Sequence, residues 1–119
     1  MHYPALNLRD NGSISRLIFS HDPILNLQTM RCVLECYLGV ISEESDNNSL
    51  ISPLFGTDEE LKQFPRTVLI VGDVDPLIDD STSFYHKLQT VKFNSFCSIL
   101  ISKLVLFPTV GCRSFAESI

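Results

Sequence analysis

The run TVLIVGD, residues 67–73, narrows the fold more than any other stretch. It is a continuous apolar and β-branched series of strand length that lacks a period-two polar face. Such a strand belongs at the centre of a parallel sheet, covered on both faces. It runs at once into a dense acidic turn. Asp73, Asp75, Asp79 and Asp80 fall within eight positions, with Pro76 among them. A helical pattern follows at residues 81–88, with Ser81 placed to cap it and Phe84 and Leu88 on one side.

The segments upstream share this grammar. HYPALNL reads as a short strand, ended by the polar turn RDNGS, whose Asn11-Gly12 pair favours positive φ. Asp22-Pro23 interrupts the apolar run that follows, and Ser20 or Asp22 is placed to cap a new helix with Pro23 in its first turn. From residue 24 to 38 the positions Leu27, Met30, Val33, Leu34, Tyr37 and Leu38 recur at three and four, and Gly39 closes the helix. SEESDNNS, residues 42–49, reads as an acidic surface loop. In GTDEELKQFP, Thr57 and Glu60 have the spacing of a capping box and Pro65 stops the short helix. Strand, helix, strand, acidic turn, helix is the order of an α/β fold.

Composition removes several function classes. With 119 residues the chain is bounded at one domain, and its net charge of −5 with no Lys/Arg cluster disfavours nucleic-acid binding. The start lacks the basic and apolar regions of a signal peptide. The longest apolar stretch, FCSILISKLVLF, is too short to span a bilayer and carries Lys103. Cys32 and Cys36 stand one helical turn apart, the spacing of a metal pair. No second pair follows, and with Cys97 and Cys112 they read as structural thiols in a reducing compartment. The chain implies no cofactor and no metal, and is expected to be soluble and cytoplasmic.

Three stretches in this order, YPALNL with SRLIFSHDPILNL, then LISPLFGTDEELKQFP, then GDVDPLIDDS, resemble the hormone-sensitive lipase branch of the α/β-hydrolases. The resemblance covers residues 1–90 and implies a partial α/β-hydrolase fold, the carboxyl-terminal part of a mostly parallel sheet with flanking helices. It also implies a serine carboxylic ester hydrolase acting on lipid or small esters, with a lipid-droplet association of the complete enzyme as a further expectation. In that chemistry a serine attacks the ester carbonyl, a histidine shuttles the proton, and an acid orients the imidazole. The family carries its acid at the first Asp of a DPL-x-D pattern, which here falls on Asp75. Local physics agrees, because the carboxyl end of a parallel strand is where α/β sites are built, and Pro76 stiffens the turn. Asp79 and Asp80 suit a helix start, and Asp73 a solvated turn. By residue type alone all four read as turn and cap acids.

The departures are equally informative. No G-x-S-x-G and no HGGG occurs, and no histidine follows His86, where the family carries one in HGF. His86 lies on the helix after Asp75, and His2 and His21 precede the acid, so all three read as exposed or packed histidines. Residues 91–119 have strand-like composition without a clean period. They read as a divergent tail arising from a frame change, a retained intron or an alternative exon. The expectation is an inert enzyme fragment that supplies the triad acid. The alternatives are a non-catalytic interaction protein, self-associating through a sheet edge at residues 3–8, and a gene-model artefact.

Overall fold

A computed structural model describes residues 1–9, 13–39, 48–91 and 97–102. Asn11-Gly12 and most of the acidic stretch 42–49 lie outside the described residues. The elements are α1 (Ile14–Ile18), α2 (Leu27–Leu38), a 3-10 turn (Pro53–Phe55), α3 (Asp58–Lys62), β1 (Thr67–Gly72), α4 (Ile78–Val91) and β2 (Cys97–Ser102).

β1 is the central strand, as its apolar run requires. On one side it pairs in parallel with β2, in a register running from Thr67 opposite Cys97 to Gly72 opposite Ser102. On the other it takes the amino-terminal residues. The Met1 ammonium donates to Val68 O at 2.6 Å. Ile70 N donates to Met1 O at 2.9 Å, and Tyr3 N donates to Ile70 O at 2.8 Å. The strand expected at residues 3–8 is therefore displaced and shortened to a parallel bridge at His2. Tyr3 turns the chain out of the ladder with φ 46°, and residues 4–8 leave the sheet to pack elsewhere. There Leu54 N donates to Leu6 O, and Leu8 N donates to the buried Ser52 hydroxyl.

α4 crosses back between β1 and β2, as parallel pairing demands. Its Phe84 and Leu88 pack with Leu6, Leu61 and Leu69 to form the core. Phe84 meets Phe64 edge-on at 5.5 Å, a favoured aromatic arrangement. Among the described residues, coverage of β1 is one-sided. Thr67, Leu69 and Val71 are buried, whereas Val68 is half exposed and Ile70 intermediate. The expectation of a strand covered on both faces fails because α3, α4 and the 3-10 turn pack around a single core.

Local signals hold where they are short-range. Thr57 and Glu60 form the capping box. Gly39 ends α2 at φ 70°, its N–H donating to Glu35 O. Lys87 reaches from α4 to donate to Leu54 O and Gly56 O, satisfying carbonyls at the end of the 3-10 turn. Two expected caps are corrected. Asn26 caps α2, accepting from Thr29 N at 2.8 Å. Asp22 instead closes a turn on Ile24 N and Leu25 N, so the helix begins three residues later than expected. Ser81 is no cap either, since α4 already starts at Ile78 and Ser81 is fully buried within it.

The least expected contact is a buried ion pair. Arg16 on α1 meets Asp80 on α4 at 2.7 Å, each side chain only 4% exposed. The same guanidinium donates to Asn7 O and, at 3.0 Å, to Arg9 O. Burial pushes the Asp80 carboxyl up, and the Arg16 charge opposes that rise. Removing one partner leaves an uncompensated buried charge, which costs about 3–5 kcal/mol. Arg16→Met is expected to lower the urea midpoint accordingly. Arg16→Met with Asp80→Leu should recover about 0.5–3 kcal/mol of that loss, the usual coupling of contacting residues. A double variant whose loss equals the sum of the two single losses would show that the pair is uncoupled.

The capping box makes a pH prediction. The Thr57 backbone N–H and the Ser49 hydroxyl hold the Glu60 carboxyl below its ordinary value. A carboxyl with a lowered folded value stabilises above its unfolded value and loses that contribution as pH falls through the folded one. Gln at this position keeps the box but cannot titrate. The wild-type chain should therefore lose stability relative to Glu60→Gln as pH falls through and below the ordinary glutamate range. Parallel urea midpoints across that range would refute this.

Candidate active site

The acidic turn after β1 presents Asp75 at the carboxyl end of the central strand. Asp75 is only 6% exposed. Its Oδ1 accepts from Leu77 N at 2.8 Å, and its backbone carbonyl accepts from Ile78 N at 3.1 Å. These two bonds fold the chain from strand into helix and hold the carboxylate at the turn. Among the described residues no arginine, lysine or histidine pairs with it. It lines an open, largely apolar pocket of about 300 Å³ with Tyr3, Ile24, Leu25, Val74 and Pro76.

The turn is fastened from outside by α1. The Ser15 hydroxyl donates to Pro76 O at 2.7 Å, and Ser15 N donates to Asp79 Oδ2 at 2.7 Å. One residue on, Arg16 holds Asp80. Thus the residues immediately after Asp75, at 76, 79 and 80, are each gripped by α1. Asp79 and Asp80 do lie in the first turn of α4, as expected, and in addition they dock that helix to α1. Asp73 is exposed at the turn, also as expected. Sequence reading missed α1 and its two gripping residues. The one available signal was a Ser-Arg pair inside an otherwise apolar run.

Tyr3 has a left-handed backbone, unusual for an aromatic residue and costly unless its surroundings enforce it. Here the enforcement is visible, since residues 1–3 are hydrogen-bonded to β1 while Leu6 is anchored in the core. The strained residue forms part of the pocket wall.

The histidines stand apart from this site. His86 is exposed on α4 beside Tyr85. His2 forms the sheet-edge bridge. His21 is exposed and bonded to Ser20 Oγ at 3.0 Å. Ser20, His21 and Asp22 are consecutive, yet Asp22 Oδ1 is taken up by two backbone N–H groups and does not orient the imidazole. Among the described residues, no serine, histidine and Asp75 come together.

No group of three or more His, Cys, Asp or Glu residues converges on a metal-holding arrangement among the described residues. No helix among them is long and apolar enough to cross a membrane.

Comparison with known proteins places this geometry. Residues 1–98 match the model of an α/β hydrolase fold family. An esterase of Fusarium pseudograminearum is 40% identical over 72 residues, and an esterase of Gibberella moniliformis is 32% identical over 72. Each alignment takes in 60% of this chain, and the chain spans only 22% of each relative. The crystal structure of carboxyl esterase 2 from the mycorrhizal fungus Tuber melanosporum superposes with a TM-score of 0.71 at 27% identity. That match covers 84% of this chain and 32% of the esterase. With its family match over most of its length and its β1–turn–α4–β2 unit, the chain belongs to the α/β hydrolase fold family.

Proposed function

We propose that this chain is the acid-bearing part of a serine carboxylic ester hydrolase of the hormone-sensitive lipase branch, with Asp75 as the triad acid. One observation carries the reading. Asp75 is a buried carboxylate at the end of the central strand, facing an apolar pocket, with one backbone N–H as its recorded side-chain donor. A carboxylate has room for more than one donor. In a triad the imidazole Nδ1–H is a further donor to it, and the acid in turn fixes the tautomer that lets Nε2 take the serine proton.

The apolar pocket suits the acyl or alcohol portion of a lipid or small ester substrate. The serine and the oxyanion donors of this mechanism have no counterpart in the chain, because it contains no G-x-S-x-G. Nor does any histidine follow His86. The isolated chain is therefore inert in this reading, since both the nucleophile and its activation are lacking.

A chimera tests the role of Asp75. Residues 1–90 would replace the matching segment of the Fusarium esterase, leaving that enzyme's own flanking sequence in place. The chimera is expected to hydrolyse a short p-nitrophenyl ester, and Asp75→Asn to lower kcat by about 10⁴-fold, the loss seen when a triad acid becomes an amide. An active chimera indifferent to Asp75→Asn would sink the assignment.

A second reading, a non-catalytic interaction protein, is favoured by exposed apolar surface. Ile14, Leu17 and Ile18 on α1 are each more than 60% exposed, and Val68, Leu100 and Ile101 on the sheet are about half exposed. Large exposed apolar patches mark association sites. Light scattering on the purified chain is expected to give a mass above that of one chain. A monodisperse monomer would remove this reading.

A further inference from the structure

Sequence context reads Cys32 and Cys36 as structural thiols. Both are exposed and reduced on the outer face of α2. Four residues apart, they stand one above the other on the helix. The Cys36 thiol, chiefly by its charge, pushes the Cys32 thiol up.

That spacing decides what the pair can hold. A disulfide needs Cβ atoms about 3.5–4.5 Å apart around an S–S bond of about 2.05 Å. Residues one turn apart on a helix keep their Cβ atoms about 5–6 Å apart. An intact helix therefore resists a direct S–S bond. A single ion between the sulfurs spans more, since a thiolate–metal bond is itself about 2.3 Å for zinc. Thiolates select soft ions. Zinc asks for four tetrahedral ligands, and no third His, Cys, Asp or Glu converges here among the described residues. A monovalent d¹⁰ cation satisfied by two sulfurs fits the donor count.

We propose that Cys32 and Cys36 form a two-thiolate site for monovalent copper on the outer face of α2. On binding, two S–H bonds break, two Cu–S bonds form, and two protons pass to solvent. Copper stays monovalent and the sulfurs are not oxidised. The site is separate from the Asp75 pocket, whose lining includes neither cysteine.

The test is an anaerobic titration of the reduced chain against the Cu(I)–bicinchoninate complex, followed by the loss of its colour. A Cys97→Ser, Cys112→Ser background isolates the pair and should withdraw copper in equimolar amount. In that background Cys32→Ser and Cys36→Ser should each withdraw none, with far-UV circular dichroism unchanged because both positions face solvent. A spacing variant, Cys36→Ser with Tyr37→Cys, keeps two thiols but turns the second away by about 140°, at 3.6 residues per turn. It too should withdraw none. Copper withdrawn equally by either single variant or by the spacing variant would overturn the proposal. So would a background chain that withdraws none, or X-ray absorption showing more than two sulfur neighbours.

Discussion

Arg16 and Asp80 meet at 2.7 Å with both side chains withdrawn from water, and the rest of the structure is arranged around that contact. A buried charge pair persists only when its remaining donors and acceptors find partners. The guanidinium therefore gathers the carbonyls of Asn7 and Arg9, and Asp80 also accepts from the Asn7 amide. Residues 7–9, the nearby α1 and the sequence-distant start of α4 are thereby tied at one point. Among the described residues Arg16 Nε is buried without a partner, so the arrangement is not fully satisfied there. This contact specifies how the segments meet more than it adds raw stability.

That point of fixation lies next to the turn that presents Asp75. Ser15, adjacent to Arg16, holds Pro76 O, and its N–H holds Asp79. The acid is thus placed by a rigid strand on one side and by a helix clamped through Arg16 and Ser15 on the other. In the triad role proposed for it, this carboxylate must be positioned closely, because misplacement of a catalytic group is costly in rate. The short helix α1 gives the turn a support that β1 and α4 alone would not provide. It does so while exposing Ile14, Leu17 and Ile18 on its far side.

Exposed apolar groups on the open face of the sheet have one cause. α3, α4 and the 3-10 turn pack around a core on one side of β1, where Leu69 and Phe84 are wholly buried. The opposite face carries Val68 in the open. The chain spans 32% of the carboxyl esterase it superposes on, and the fold similarity is strong over that part.

Elements stabilised by neighbours in sequence were legible without coordinates. The Thr57–Glu60 capping box, the α2 periodicity closed by Gly39, and the β1 run ending in an acidic turn all depend on contacts within a few residues. The prominence of Asp75 was legible too, through the DPLIDD pattern and the proline that stiffens it. What sequence could not show was set by contacts some sixty positions apart, such as Ser15 to Pro76 and Arg16 to Asp80. A long-range pair has no period and no spacing rule, so α1 looked like part of an apolar run and Asp80 like an ordinary helix-start acid. The strand expected at residues 3–8 failed for the same reason. Tyr3 leaves the ladder because Leu6 and Leu8 find better partners in the core and at Ser52. Sequence alone determined α2, the capped α3, β1 and the acidic turn after it, since those choices are local. Tertiary structure decided which charges are buried and which face of β1 is covered, because both depend on what packs against them.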